Sequence, residues 1–218
     1  MVMNFPKSKG KCAFCGKIFT KAGINRHLKT HLKQKESENT KGQSYLIKVE
    51  SDQYYGSSPY FLSLWVDGET IMEDIDAFLR GIWLECCGHM SGFAGGQVSM
   101  DEKVKDVFYK DLKLGYDYDY GSTTELRLTV LEEYSVKADD EIVLLSRNDP
   151  VKWKCDSCNE EIATQICIIH DKMFCDKCGK KHAVECPDFE DYGYLPVVNS
   201  PRMGVCGYEG GSIDIERD

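Results

Sequence analysis

The chain has 218 residues, 42% of them apolar and 29% charged, with eleven cysteines and a formal charge of −9. That composition suits a folded domain carrying small modules and excludes a chain that stays disordered. No run approaches the roughly 18 apolar residues of a membrane helix, and the start, MVMNFPKSKGK, has no signal-peptide core, so a soluble cytoplasmic protein with no membrane partner is expected. The charge is uneven: residues 1–43 carry ten Lys/Arg against two acidic residues, and the remainder carries 17 against 34. A basic arm on an acidic body places any contact with a polyanion on the arm. An odd number of cysteines, mostly in C-x2-C pairs with histidines nearby, points to metal rather than to a disulfide framework.

Residues 1–35 hold the pattern Cys12-x2-Cys15-x11-His27-x3-His31. Two thiolates on a C-x2-C knuckle and two histidines four apart on one helix face are the donor set of a two-Cys/two-His zinc finger. Phe19, Ile24 and Leu28 supply its small apolar core, and zinc supplies folding energy that so short a unit lacks. With His27 as the seventh helical residue, Thr20, Gly23 and Arg26 take the base-reading positions, of which only Arg26 is a strong reader. Lys21, Lys29 and Lys33, among other lysines, are candidate phosphate contacts on DNA or RNA. In the alternative reading these lysines only solvate a finger that meets protein. Residues 36–43, ESENTKGQ, read as a linker.

Residues 44–150 carry the main hydrophobic pattern. Tyr45–Glu50 and Tyr60–Val66 read as strands joined by a turn around Gly56–Pro59, and Asp67-Gly68 is a further turn. Thr70 and Glu73 form a capping-box pattern before a helix whose apolar positions Ile71, Ile75, Phe78, Leu79, Ile82 and Trp83 lead to Leu84. Tyr116–Tyr120 alternates aromatic and acidic residues, with Asp117 and Asp119 on a solvated face. Leu126–Leu131 and Glu141–Leu145 read as further strands. Strands around one amphipathic helix indicate an α+β domain, and the strand–strand–helix opening is compatible with a β-grasp-like core. Cys86, Cys87 and His89 end the helix. With Cys206 they could form another metal site or a redox pair, but adjacent cysteines fit one tetrahedral ion poorly, and a buried structural role is the expectation.

Residues 151–188 contain Cys155-x2-Cys158-x8-Cys167-x2-His170-x4-Cys175-x2-Cys178-x3-His182-x3-Cys186, enough donors for two four-ligand sites. One reading is a single zinc ribbon on Cys155, Cys158, Cys175 and Cys178. The segment also resembles the B-box zinc-binding domain, although that family often has His where this chain has Cys158 and Cys186. The resemblance implies a cross-brace: Cys155, Cys158, Cys175 and Cys178 on one ion, and Cys167, His170, His182 and Cys186 on the other. It also implies a role in protein contacts. Three zinc ions are expected in all, each closed by four protein ligands and therefore structural rather than catalytic.

The segments YLIKVE, IWLECCGHMSGF, YDYDYGSTTELRLTV and LPVVNSPRMGVCGY together resemble the pRiA-plasmid ORF-three-like family. The resemblance spans about residues 44–150 and 191–210. It implies an α+β domain, with the zinc segment inserted before a tail, 189–218, that returns to the domain. No P-loop, dinucleotide fingerprint, nucleophile elbow or H-E-x-x-H motif occurs, so no enzyme is expected. The leading expectation is a non-enzymatic nucleic-acid-associated zinc protein, with DNA on residues 1–35 and a protein partner on 151–188. The alternative is a protein-interaction adaptor whose zinc sites are purely structural.

Overall fold

The computed structural model describes residues 8–38, 41–52, 58–186, 188 and 193–217. It divides into two compact units, one formed by Met1–Arg80 with His89–Asp149 and the other by Gly81–Gly88 with Pro150–Asp218.

The first unit is α+β. It starts with a hairpin, β1 (Lys9–Lys11) paired with β2 (Ile18–Thr20), followed by helix α1 (Lys21–Glu38). The Thr20 hydroxyl accepts a bond from the Gly23 N–H at 3.2 Å and caps the helix where its first turn leaves N–H groups unpaired. A six-stranded sheet follows, from β3 (Lys41–Ser51), β4 (Phe61–Asp67), β5 (Ser91–Phe93), β6 (Lys113–Tyr118), β7 (Thr124–Val136) and β8 (Ile142–Arg147), with a short helix α3 (Val104–Val107) between β5 and β6. Its order is β5-β6-β7-β3-β4-β8, and every ladder is antiparallel. The strand–strand–helix opening is present, but the sheet has no parallel pair among the described residues.

All seven residues of β4 are buried, so both faces of this strand are covered. On one face Phe61 and Trp65 join Leu46, Tyr134, Val136 and Leu145 in a cluster with Cys12, Ile24, Leu28 and Leu32 of the N-terminal segment. The same face carries the bond from the Ser63 hydroxyl to Asn25 Oδ1 at 2.8 Å. Backbone bonds join the hairpin to β8 and to the segment just after it, from Ala13 N to Leu145 O and from Asp149 N to Lys9 O. The finger therefore shares its apolar core with the sheet.

Several local expectations shift. Helix α1 runs through Glu36–Glu38, and β3 already includes Lys41–Gln43, so the 36–43 segment is drawn into structure from both ends. Glu36 accepts a bond from Ser135 N, and Gly42 lies too close to the Lys137 backbone to leave room for a Cβ. The turn at Gly56–Pro59 lies partly outside the described residues. Helix α2 (Met72–Leu79) starts one residue late: Ile71 is the N-cap, its N–H bonds to the Asp74 carboxylate, and the Thr70 hydroxyl donates instead to Glu141 O. Asp119 does not continue the strand alternation. It takes φ of 63°, is buried, and accepts bonds from the N–H groups of Gly121 and Ser122.

Beyond α2 the chain passes through a π-helical stretch, Arg80–Leu84, that turns Ile82, Trp83 and Leu84 inward in succession. The unit boundary falls within this stretch. In the second unit the C-terminal residues pack on its end: Ser200 Oγ donates to Trp83 O at 2.6 Å, and the N–H groups of Ser212 and Ile213 both donate to Gly81 O. The remainder of this unit is a three-stranded sheet, β10 (Lys172–Phe174), β9 (Gln165–Cys167) and β11 (Tyr194–Pro196) in that order, beside helix α4 (Asp176–Glu185).

Candidate metal centres

Each C-x2-C pair is folded by the same local device. The carbonyl of the first cysteine accepts an N–H four residues on: Gly16 to Cys12, Asn159 to Cys155 and Gly179 to Cys175, each at 2.8 Å. Gly16 and Asn159 reverse the chain with left-handed φ of 71° and 57°. The turn brings both thiols to one side.

In the first unit, Cys12, Cys15, His27 and His31 gather with all donor atoms within 4.8 Å of one another. The knuckle comes from the hairpin and the two imidazoles from α1, one turn apart. His31 Nε2 lies 3.1 Å from His27 Nε2, close to the roughly 3.3 Å edge that two zinc–nitrogen bonds of about 2.05 Å impose on a tetrahedron, and Cys15 Sγ lies 3.1 Å from the same atom, inside the roughly 3.6 Å edge of a sulfur–nitrogen pair. Phe19 stacks on His27 at 4.1 Å and orients the ring. Burial, and then the neighbouring His31 and Lys17 charges, lower the His27 pKa and favour the neutral imidazole that a metal requires.

In the second unit the donors interleave. Cys155, Cys158, Cys175 and Cys178 form one group, and Cys167, His170, His182 and Cys186 form another. The knuckle at 155–158 meets the start of α4, while β9 and the turn after it meet the end of α4. All eight residues converge, including the four that a single ribbon would leave as bystanders. Burial pushes the Cys155 thiol up, but the backbone N–H groups of Cys175, Cys158 and Ser157 outweigh it and bring the pKa to about 6. Phe174 stacks on His182 at 4.5 Å, as Phe19 does on His27.

A fourth gathering brings together the thiols of Cys86, Cys87 and Cys206. Cys86 is half-buried and the other two are exposed.

The four residues proposed for nucleic-acid contact have different surroundings. Arg26 and Lys33 are exposed. Lys21 Nζ lies 2.6 Å from Glu50 and donates to Ser58 O, and Lys29 Nζ donates to Leu131 O and pairs with Glu132 at 3.1 Å. Lys35 joins them, 2.6 Å from Asp139 and over the Phe14 and Trp65 rings.

The sequence reading missed the polar knot around Asp76. One carboxylate oxygen accepts from the hydroxyls of Tyr116 and Ser91, and the other pairs with Arg80 Nε at 2.7 Å. The Asp76/Arg80 spacing of four at the end of α2 was the available signal. Both oxygens are occupied, as in a group that fixes packing.

No family model matches the chain, and no curated protein matches it. Among solved structures, the chain is similar to a crystal structure of a protein of unknown function from Methanosarcina mazei Go1, with 17% identity over 47% of this chain and a TM-score of 0.38. The match spans 66% of that protein.

Proposed function

We propose that this is a non-enzymatic zinc protein that associates with nucleic acid through the outward face of its N-terminal finger. The three complete sets of four sulfur and nitrogen donors suit tetrahedral Zn2+ and leave no coordination position for a substrate, so the ions serve the fold. The resemblance of residues 44–150 and the tail to the pRiA-plasmid ORF-three-like family belongs to the same reading.

The observation that carries the binding proposal is how the finger's cations divide. Lys21, Lys29 and Lys35 are taken up by Glu50, Glu132 and Asp139. Lys9, Lys11, Lys17, Arg26 and Lys33 are exposed and make no ion pair among the described residues. The first group fixes the finger to the sheet, and the second faces solvent, where it can displace counterions from a phosphate backbone. Thr20 spends its hydroxyl on the helix cap and Gly23 has no side chain, so Arg26 alone remains to read a base edge. Affinity is therefore mainly electrostatic.

Deleting the finger is a poor test, because its removal would expose Phe61 and Trp65. Substitution is cleaner. Zinc-loaded full-length protein is titrated with random duplex DNA and RNA over a salt series. At roughly 0.9 per phosphate contact, these five cations contribute up to about 4.5 to the log–log salt slope. Replacing Lys9, Lys11, Lys17, Arg26 and Lys33 by Ala should abolish binding, whereas replacing Lys21, Lys29 and Lys35 should leave the slope unchanged. No binding by the wild type at low salt would overturn the proposal in favour of a protein-interaction adaptor.

A further inference from the structure

We infer that Cys86, Cys87 and Cys206 hold a fourth zinc ion at a solvent-exposed site, distinct in construction from the three closed ones. The inference is independent of the nucleic-acid reading. The objection from sequence is that adjacent cysteines fit one tetrahedral ion poorly, and the geometry answers it. Zinc–sulfur bonds of about 2.3 Å at the tetrahedral angle require sulfurs about 3.8 Å apart. Cys87 Sγ lies 3.8 Å from Cys86 Sγ and 3.8 Å from Cys206 Sγ, and the three sulfurs lie within 4.8 Å of one another. These separations match the edges of a thiolate-bound zinc tetrahedron and are too long for a disulfide.

The backbone is shaped to present these thiols. Glu85 accepts the Gly88 N–H at 2.6 Å, and Gly88 takes φ of 79°, which bends the chain sharply after the two cysteines. Cys206 and Gly207 are both left-handed, at 51° and 69°, an uncommon conformation for a cysteine and one that backbone preference alone does not select. The fully buried Arg202 directs its guanidinium to Cys86 Sγ at 3.6 Å and orients the sulfur. With these three thiols, all eleven cysteines of the chain belong to donor groups, which accounts for the odd count.

The site differs from the others in exposure. Cys87 and Cys206 are open to solvent, so a chelator reaches this ion first. Zinc per chain is measured in full-length protein purified with Zn2+ and a reductant. The expected ratio is four, falling to three in Cys87→Ser and in Cys206→Ser with melting temperatures near wild type. One ion should also transfer to a colorimetric chelator faster than the rest, and this fast phase should vanish in both variants. In Co2+-loaded protein, replacing all three thiols should lower the thiolate charge-transfer absorbance by about three-elevenths. A zinc ratio unchanged by Cys87→Ser and Cys206→Ser overturns the site, whatever the total. The closed sites are read separately, because Cys158→Ser and Cys178→Ser should each cost one ion whether or not the fourth exists.

Discussion

The finger and the 155–186 segment use the same donors and the same knuckle turn, yet they rest on different foundations. The finger's buried side chains, Ile24, Leu28 and Leu32, continue into a sheet core containing Phe61, Trp65 and Leu145. The buried cluster of the second segment consists of Cys155, Cys167, Cys175, Cys186 and one aromatic residue, Phe174. In the first case a donor set is added to an apolar core, and in the second the donors themselves are most of the core. Donor spacing alone therefore does not reveal how far a module depends on its ion.

Chelation should expose the contrast most strongly. A structural zinc contributes about 10–16 kcal/mol of apparent binding energy in small metal domains, far above what a cluster with one aromatic residue can replace. After EDTA treatment of the full-length protein, hydrogen exchange read by mass spectrometry should show amides of 155–186 losing nearly all protection. Those around Leu28 and Leu32 should stay protected by packing on the sheet. Loss of protection in the finger first would break the comparison.

The next effect in size comes from apolar substitution. Leu28→Ala removes a fully buried side chain from the shared core and should cost about 2–5 kcal/mol in denaturant unfolding. Val184→Ala, on α4 and 86% exposed, should stay within about 0.5 kcal/mol. Equal effects would mean that the finger's packing on the sheet contributes little.

What the sequence discloses follows the same division. Donors in C-x2-C and H-x3-H spacing are local, so the first set and the helix bearing His27 and His31 were readable from short windows, whereas the pairing of the eight interleaved donors at 155–186 came only with the resemblance to the B-box domain. Equally readable were β3, β4 and the helix from residue 72, whose apolar periodicity is strong. The docking of the finger was not, because Leu32 joins the cluster of Trp65 and Val136 only through long-range packing. Lys29 and Glu132 stand 103 residues apart, and a run of lysines carries no mark of which will be neutralised. The Thr70 cap was misplaced by one residue, since Thr and Asp both suit that turn and the competing acceptor, Glu141 O, comes from a distant loop. Cys86 and Cys87 looked like core residues because burial cannot be read from two adjacent positions at a helix end.

The smallest effect concerns the ion pairs that join finger and sheet. At Glu132, partial burial raises the carboxyl pKa, but bonds from Lys110 and Lys29 outweigh it and the net shift is downward. At Glu50 burial is again opposed and outweighed, here by Lys21 and Lys48. A carboxylate whose folded pKa is depressed adds stability that is fully present above its unfolded value, near 4.3, and is lost as pH falls through the lower folded value. These side chains are partly solvated, so each pair is worth no more than about 1 kcal/mol. The difference in unfolding free energy between wild type and Glu132→Gln, measured at fixed ionic strength, should therefore be small and favour wild type at pH 6, then shrink towards zero as pH drops below 4. Acid also strips zinc from its ligands, but this affects both proteins and cancels in the difference. A gap that persists undiminished at low pH would assign the contribution of Glu132 to packing and leave the lysines of α1 without an electrostatic role in fixing the finger to the sheet.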